Sequence, residues 1–305
     1  MRDIDILVVG DLNPDLILRG DVTPVFGQTE KFVDDASLVL GSSSGIFACG
    51  AARLGMRVVF SGKVGDDQFG RFVMQELAAR QVDPAGIVVD PTIKTGLGVS
   101  LSKPDDRAML TYLGSIAALS YDDIDPALLA RARHLHIGSY FLLAGLQPDT
   151  PRLFEQAHAL GLTTSLDTNY DPTERWDSGL RAVLPHTDIF LPNEIELRAL
   201  TGETDPEAAL ALLAAQLPLA VAKLGPQGAI ARRGGDMYRA EALPVAVVET
   251  TGAGDSFDAG FIYGYLAGWD IPRALRLGCV CGSLSTQAAG GVAAQPTLAE
   301  ALAVM

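Results

Sequence analysis

The chain has 305 residues, of which 48% are hydrophobic, and its formal net charge at pH 7 is −14. A chain of this size can bury one large core, with room for a small appendage. Its acidity argues against partners such as a nucleic-acid backbone or an anionic membrane surface, although local backbone N–H groups can still hold a phosphate.

The cysteines and the N-terminal residues suggest a cytoplasmic protein. Cys49, Cys279 and Cys281 have neither the spacing of metal ligands nor the density of a disulfide framework, so we expect buried, reduced thiols. Residues 1–6 alternate in charge and lead into a strand, which is unlike a signal peptide. A run of about 18 uncharged apolar residues, as a membrane span requires, does not occur.

The first predicted strand, residues 4–9, is followed by polar residues at alternate positions: Asp11, Asn13 and Asp15. In an extended segment such side chains share one face. They would lie beyond the carboxyl end of the strand, where open parallel sheets bind ligands. A turn rich in Asx residues explains the same pattern equally well.

Residues 16–40 and 95–113 alternate between apolar and polar positions without helical spacing. We predict short antiparallel strands in both segments, with a turn at 103–106. Because the two segments interrupt an otherwise regular alternation of strands and helices, we expect them to pair into one small sheet. This lid, inserted from about 12–40 and 95–113, would cover the site.

The rest of the chain alternates strands with helices, which predicts a three-layer α/β/α fold with a mostly parallel central sheet in a single domain, residues 1–305. The predicted strands are 58–62, 135–138, 163–167, 189–191, 219–222 and 245–248. The predicted helices are 45–55, 67–80, 150–160, 178–184, 194–200, 207–217, 257–266, 271–289 and 297–304.

A glycine turn at 249–257 follows the predicted buried strand 245–248 and precedes a helix. Gly252 and Gly254 allow a sharp turn close to a ligand, and the free N–H groups of a helix start suit an anion. Asp255 could cap this helix, or it could take a proton from a hydroxyl that attacks a phosphate. A P-loop motif is absent from the sequence, and Phe257 stands where a dinucleotide fingerprint needs its third glycine.

Several motifs, taken together and in this order, resemble the ribokinase-like, or PfkB, family of carbohydrate kinases. They are 41–55, 62–70, Asp167-x-Asn169, 193–196, 224–228 and 250–261. The resemblance spans nearly the whole chain. It implies phosphoryl transfer from ATP, with Mg²⁺, to an alcohol that is usually a sugar hydroxymethyl.

Carried over residue by residue, the resemblance makes Asp255 the base and the N–H groups of Gly252, Ala253 and Gly254 the anion hole. Asn193 and Glu196 would organise Mg²⁺ through water; a helix cap plus a solvated glutamate is the structural alternative. Nucleotide-side positions would be Lys223, Gly225, Gly228 and Thr251, although 225–228 is also an ordinary turn. Substrate-side positions would be Asn13, Asp15, Gly41, Ser42, Ser43 and Asn169.

Four positions depart from the family pattern. Ser43 and Ile46 stand where a ribokinase has Lys and Asn, and Ile46 cannot form the asparagine's hydrogen bonds. Asp171 stands where members acting on ketoacid sugars have Arg, which argues against 2-keto-3-deoxygluconate. Glu249 replaces the usual Asp of a region that helps bind K⁺ in some members, so dependence on K⁺ stays open.

These features favour an ATP-dependent kinase of a neutral sugar or sugar-like alcohol. A nucleoside kinase of the same family is the near alternative, because Ile46 could pack against a base. A non-catalytic sugar or nucleotide sensor is the alternative from another class. In several members the lid also forms a dimer interface, so we expect a homodimer. Arg107 falls where the lid would approach the substrate; we expect a solvated turn charge there, with contact to a hydroxyl or phosphate as the alternative. For His134, His136, His158 and His186 we expect structural or surface roles.

Overall fold

The computed structural model describes residues 2–103 and 106–305, so Pro104 and Asp105 of the predicted turn at 103–106 lie outside the described residues. The strands are β1 (Ile4–Val9), β2 (Pro14–Arg19), β3 (Asp35–Leu40), β4 (Val58–Gly65), β5 (Asp83–Asp90), β6 (Leu97–Ser102), β7 (Arg107–Tyr112), β8 (Ala132–Ile137), β9 (Thr163–Leu166), β10 (Ile189–Phe190), β11 (Leu219–Lys223), β12 (Ala229–Arg233) and β13 (Asp236–Ala240). The helices are α1 (Ser43–Arg53), α2 (Gln68–Ala79), α3 (Ser115–Ala118), α4 (Pro126–Arg131), α5 (Thr150–Ala159), α6 (Leu180–Val183), α7 (Glu194–Thr201), α8 (Pro206–Ala214), α9 (Ala253–Leu266), α10 (Ile271–Ser285) and α11 (Leu298–Val304).

Within the described residues, nine strands form the central sheet in the order β13-β12-β11-β10-β9-β8-β1-β4-β5. Neighbouring strands pair in parallel except that β12 is antiparallel to both β11 and β13. The prediction of a mostly parallel sheet is therefore confirmed. Parallel strands need helical crossovers, which is why the strands of this sheet alternate with helices along the chain.

Apolar side chains are buried on both faces of this sheet, as both faces of a parallel sheet require. In β1, Leu7 belongs to the core layer that includes Phe154 of α5, whereas Val8 belongs to the layer that includes Phe47 of α1 and Phe261 of α9. All are at most 1% exposed, and each such side chain contributes about 1.5–3 kcal/mol. This packing fixes the carboxyl ends of the strands along one edge.

The small sheet has the order β3-β2-β6-β7, with β2 and β6 parallel and the other pairs antiparallel. The prediction that the two inserted segments pair into one sheet is confirmed. Asp15, Gly98 and Thr111 stand in one row across the strands and line the cavity described below. The lid therefore covers this cavity, as predicted.

The predicted buried strand at 245–248 is wrong. These residues form no strand, and Val247 and Val248 are 60% and 65% exposed. Their apolar character has another origin, because Val245 and Val247 line a cavity rather than the sheet. Strands β5, β12 and β13 were missed, since β5 contains Pro84 and Gly86, and β12 and β13 carry charged residues.

The cysteines are free and buried, as expected, and burial raises the pKa of each thiol to about 12. His134 and His136 are also buried, and both contact the hydroxyl of Ser165 at 2.7 Å. Burial lowers the pKa of His136 to about 3, so its ring is neutral and structural. Among the described residues, none of the helices has the length and apolar character that crossing a membrane demands.

Candidate active site

Two cavities meet at the glycine turn. The first cavity, about 410 Å³, lies between the lid and the carboxyl ends of the central strands. We call it the acceptor-side cavity because the predicted substrate-side residues line it. The second cavity, about 430 Å³, lies toward α10 and the 242–247 segment. Both are lined by Lys223, Gly225, Thr250 and Gly254, so the turn separates two spaces, each large enough for a small molecule.

The turn requires glycine at position 252. Gly252 has φ of 75°, and a Cβ built there would lie 2.7 Å from Gly291 Cα and 2.9 Å from the Ile46 side chain. It precedes the first residue of α9, Ala253, so the unpaired N–H groups of a helix start lie beside both cavities. Of the three predicted anion-hole amides, that of Ala253 donates to the Thr250 carbonyl at 3.2 Å.

Asp255 does not cap α9. The N-cap position is Gly252, which makes no side-chain cap, whereas the Asp255 carboxylate accepts a hydrogen bond from the Ser43 hydroxyl across the cavity. Burial, reinforced by the negative charge of Asp167, raises the pKa of Asp255 to about 8. A carboxyl group in such a state can accept a proton from a bound alcohol near neutral pH.

The segment before α1 brings several predicted substrate-side residues to this cavity. Ser42 caps α1, and the Asp11 carboxylate accepts from the backbone N–H groups of Ser43 and Ser44 at 3.1 Å. Asp11 thus holds the start of α1, and it also lines the cavity. Asn13 lines the same cavity and donates to Asp15 at 3.0 Å. The alternation at 11–15 is therefore not merely an Asx turn.

Asp15 occupies a tight pocket in the lid. A Cβ added at Gly41 or Gly98 would lie 2.3 Å or 2.1 Å from its carboxylate, so a side chain at either position would displace this carboxylate. Burial, together with the negative charge of Asp11, raises the pKa of Asp15 to about 6. Asn169 lines the same cavity with φ of 57°. Ser43 and Asn169 thus line the same cavity as Asn13 and Asp15, and their substrate-side role stays a prediction.

Asn193 and Glu196 form a complete capping box at the start of α7. The Asn193 side chain accepts from the Glu196 N–H at 3.0 Å, and Glu196 accepts from the Asn193 N–H at 2.9 Å. Glu196 is only 2% exposed, so the alternative of a solvated glutamate is wrong, although the helix cap is real. Burial and the charge of Asp167 raise the pKa of Glu196 to about 7.

Lys223 lies at the junction of the two cavities and forms a buried ionic cluster that the sequence analysis missed. Its ammonium group contacts the carboxylates of Asp167 at 2.5 Å and Asp258 at 2.8 Å. Burial acts against the charged form, but the two carboxylates outweigh it and raise the pKa of Lys223. Burial also raises the pKa of Asp258 well above its ordinary range. Asp167, which belongs to the Asp167-x-Asn169 motif, was the signal in the sequence that could have indicated this cluster.

The second cavity contains the predicted nucleotide-side glycines. Gly225 and Gly228 lie in the turn between β11 and β12 and line the second cavity. The turn is therefore observed, and the nucleotide-side role stays a prediction. Gly228 has φ of 86°, and a Cβ there would lie 2.0 Å from the Ala240 carbonyl oxygen. The opposite wall is formed by 242–247 and by Phe257 and Cys279.

Two sequence interpretations need correction, those of Arg107 and Asp171. Arg107 is not merely a solvated charge, because it lines the acceptor-side cavity and donates to the Thr251 hydroxyl at 2.8 Å. Asp171 is 1% exposed and accepts from the backbone N–H groups of 173, 175 and 176. It does not line the cavity, so its charge does not argue against an acidic substrate. Ile46 packs against Gly252 and Gly291 and also lines this cavity, so the expectation that it could pack against a base stays a prediction.

Gly252→Ala is expected to lower kcat by about 10²-fold, because the predicted anion-hole donors of this turn would tolerate little displacement. The added methyl group would clash with Gly291 and impose a φ that alanine disfavours. Steady-state kinetics at saturating substrates measure the change. Gly268→Ala, at a positive φ with open space around it, is the matched control. Equal losses in both variants would contradict the role of this turn.

Comparison with known proteins agrees with this architecture. The family model described as pfkB family carbohydrate kinase matches residues 5–298. A protein named 5-dehydro-2-deoxygluconokinase from Geobacillus thermodenitrificans is 30% identical over 97% of this chain and 91% of its own length. A structure described as a putative Ribokinase II from E. coli in complex with ATP and Mg²⁺ aligns with a TM-score of 0.87 and 26% identity, over 99% and 98% of the two chains.

A third relative, adenosine kinase from Sinorhizobium meliloti, aligns with a TM-score of 0.84 and 26% identity over 98% of each chain. Because the family model covers nearly the whole chain, the resemblance stated from the motifs is confirmed. The chain belongs to the pfkB family of carbohydrate kinases, enzymes that transfer a phosphoryl group to an alcohol group.

Proposed function

We propose that this kinase transfers the γ-phosphoryl group of ATP to a hydroxymethyl group of a sugar, as one kinase domain in the cytoplasm. The observation that carries the proposal is the position of Asp255 beside the glycine turn that separates the two cavities. The acceptor would bind under the lid and the nucleotide on the side of Gly225 and Gly228. In this arrangement the γ-phosphate reaches the turn from one side and the hydroxyl from the other.

The chemistry follows from the side chains at the turn. The Asp255 carboxylate takes the hydroxyl proton, the hydroxyl oxygen bonds to the γ-phosphorus, and the bond from phosphorus to the leaving ADP oxygen breaks. The backbone N–H groups at Gly252 and Gly254 stabilise negative charge on the transferred group, and Ala253 can join them by releasing Thr250. Positioning and charge stabilisation provide most of the catalysis in phosphoryl transfer.

Asn193 and Glu196 fit a role at Mg²⁺. Their oxygen atoms are of the type that Mg²⁺ prefers, they line the acceptor-side cavity next to Lys223, and Glu196 is buried without a cationic partner of its own among the described residues. They would hold the ion through water, and the bound ion would neutralise phosphate charge. Thr251 and Lys223 complete this side of the cavity.

We further propose that the acceptor is a six-carbon keto sugar acid of the 5-dehydro-2-deoxygluconate type. Arg107 supports this choice, because its described partner is a hydroxyl and no described carboxylate neutralises it. The other cation lining this cavity, Lys223, is held by two carboxylates. An acidic acceptor in a cavity rich in Asp and Glu needs such a cation. The name of the Geobacillus relative agrees with this class.

Arg107→Gln is expected to lower kcat/KM for the sugar acid by about 10–100-fold, since a charge-assisted hydrogen bond contributes roughly 1.5–3 kcal/mol. Turnover of neutral sugars should change by less than about threefold. A coupled ADP-release assay with keto sugar acids, ribose, fructose and adenosine measures both. Arg71→Gln, which removes an exposed charge paired with Asp66, is the matched control.

The same panel separates the alternatives. Preference for adenosine would favour the nucleoside kinase, and preference for a neutral sugar would contradict the sugar acid. Failure of every acceptor while ATP still binds would favour the non-catalytic sensor. Running the same assay in K⁺ and in tetramethylammonium tests whether turnover depends on K⁺. A K⁺ site predicts faster turnover in K⁺, and equal rates in the two salts would exclude a dependence on K⁺.

We propose that the outer lid face forms a homodimer. On this face Leu16, Leu38, Val99 and Leu110 pair across the strands, and Leu110 is 60% exposed. A contiguous apolar face of this kind marks an interface. We expect Leu110→Asp to convert a dimer into a monomer in sedimentation-velocity experiments, whereas Leu212→Asp, exposed on α8, should not. A wild-type monomer at micromolar concentration would contradict the proposal.

A further inference from the structure

The cavity-facing side of the lid carries two arginines in one row across the strands. Arg19 of β2 pairs with Ser102 of β6, which pairs with Arg107 of β7. Both guanidinium groups contact the short segment that leads into the glycine turn: Arg19 binds Glu249 and Arg107 binds Thr251. The lid is therefore attached to this segment at two points.

The Arg19 contact is the more strongly built of the two. Its Nη2 lies 3.0 Å from Glu249 Oε2, while its Nη1 lies 2.9 Å from Asp35 Oδ2 on the neighbouring lid strand. Asp35 is itself held by the Ser37 hydroxyl. The guanidinium group is thus oriented from within the lid before it reaches Glu249. The side chains of Arg19 and Glu249 are 29% and 22% exposed, so water screens the pair only partly.

Glu249 connects the lid to the glycine turn through its contacts with residues 286–291. The oxygen that binds Arg19 also accepts from the Gly290 N–H at 3.2 Å, and the Glu249 backbone N–H donates to Thr286 at 3.1 Å. Gly291, which follows Gly290, packs closely against Gly252: a Cβ built at Gly252 would lie 2.7 Å from the Cα of Gly291. Lid, Glu249, 290–291 and the glycine turn form one connected series of contacts.

The carboxylate is charged in this arrangement. Burial alone would raise the pKa of Glu249, but hydrogen bonds from Thr251, Gly290 and Arg19 outweigh it and lower the pKa. The length of the side chain also matters. An aspartate at this position, one methylene shorter, would leave its carboxylate about 1.5 Å short of the guanidinium group.

We propose that Arg19 and Glu249 are positioning residues: their ion pair latches the lid over the acceptor and holds the glycine turn in its reactive geometry. The glutamate side chain has the length that this ion pair requires. Closure keeps water away from the γ-phosphate, which otherwise competes with the acceptor hydroxyl. The proposal rests on the role proposed above for the turn, but not on the identity of the acceptor.

Amide hydrogen exchange on the full-length protein without substrates tests the latch directly. We expect amides of β2 and β7 to exchange about tenfold faster in Arg19→Gln and in Glu249→Asp, because closing the lid would depend on this pair. Amides of α2 should keep their wild-type rates. Arg71→Gln, which breaks an exposed ion pair away from the lid, should change neither group. Unchanged lid exchange in both variants would overturn the latch.

Kinetics supply the second readout. In Arg19→Gln and Glu249→Asp we expect kcat/KM for the acceptor to fall about tenfold and ATP hydrolysis without acceptor to rise several-fold, as for an open site. The double variant should lose no more than either single variant, since the pair acts as a unit. Arg19→Lys should recover part of the loss. Additive losses, or wild-type behaviour of Glu249→Asp, would contradict the latch.

The two readouts also separate this proposal from the proposed substrate. Hydrogen exchange and acceptor-free ATP hydrolysis need no acceptor, so rejection of the sugar acid leaves the test of the latch intact. Conversely, turnover of the sugar acid together with unchanged lid exchange would overturn the latch alone.

Discussion

Asp255→Asn is expected to lower kcat by about 10²–10⁴-fold, because it removes the proposed base for the hydroxyl proton. The amide has the same shape as the carboxyl group, and its oxygen can still accept the hydrogen bond from Ser43. We therefore expect the melting temperature and the affinity for ATP to stay near their wild-type values. Single-turnover rates with ATP and acceptor measure the loss.

The pH dependence of the wild type gives an independent check of the same role. A base acts in its ionised form, and the pKa of Asp255 is raised to about 8 by burial and by the charge of Asp167. The value of kcat/KM should therefore rise about tenfold per pH unit below pH 8 and level off above it. At pH 7 about one tenth of the enzyme would carry the ionised base.

Ser43→Ala is the matched control for Asp255. The hydrogen bond from Ser43 favours the ionised carboxylate, so its loss should move the midpoint of the pH profile upward while the plateau at high pH is largely kept. Asp255→Asn should remove the dependence altogether. An Asp255→Asn variant with near-normal turnover, or a wild-type profile that is flat between pH 6 and 9, would contradict the assigned base.

Lys223→Met is expected to lower the free energy of unfolding by about 3–5 kcal/mol, the cost of leaving a buried charge without its partner. The ammonium group of Lys223 lies 2.5 Å from Asp167, and the two side chains are 11% and 8% exposed. Burial would raise the pKa of Asp167, but Lys223 and the neighbouring carboxyl group outweigh it and lower the pKa. Urea denaturation at pH 7 measures the change.

Two comparisons test whether the loss of stability in Lys223→Met comes from the buried ionic cluster. Lys94→Met, at an exposed site, should change stability by less than about 0.5 kcal/mol. Adding Asp167→Asn to Lys223→Met should recover part of the stability, because the remaining buried charge is removed. Wild-type stability of Lys223→Met would show that the cluster does not hold the fold together.

The site illustrates where reading the sequence succeeds and where it fails. Gly252 and Asp255 lie on one turn, and the 193–196 motif lies at one helix start. Because short motifs of this kind are visible in the sequence, their resemblance to the family is enough to propose their roles. Arg107 and Asp171 were misread because their roles depend on what they meet in space. Arg107 faces the cavity across the lid, and Asp171 folds back onto its own loop.

The apolar run at 245–248 shows the same limit for secondary structure. Its β-branched residues favour a strand, and only the course of the chain after β13 places them on a cavity wall instead. The ionic cluster of Lys223, Asp167 and Asp258 unites residues that are 35 and 56 positions apart. Such contacts leave no periodic trace in the sequence.

The sequence by itself determined the family, the alternation that makes a parallel sheet, the lid segments and the glycine turn with its aspartate. Each of these depends on hydrophobic period or on neighbouring residues, which the chain displays directly. Only the tertiary structure decided that Glu249 reaches Arg19, that Asp171 avoids the cavity and that Lys223 is neutralised. Those outcomes depend on distances between remote segments, and packing of the whole chain sets such distances.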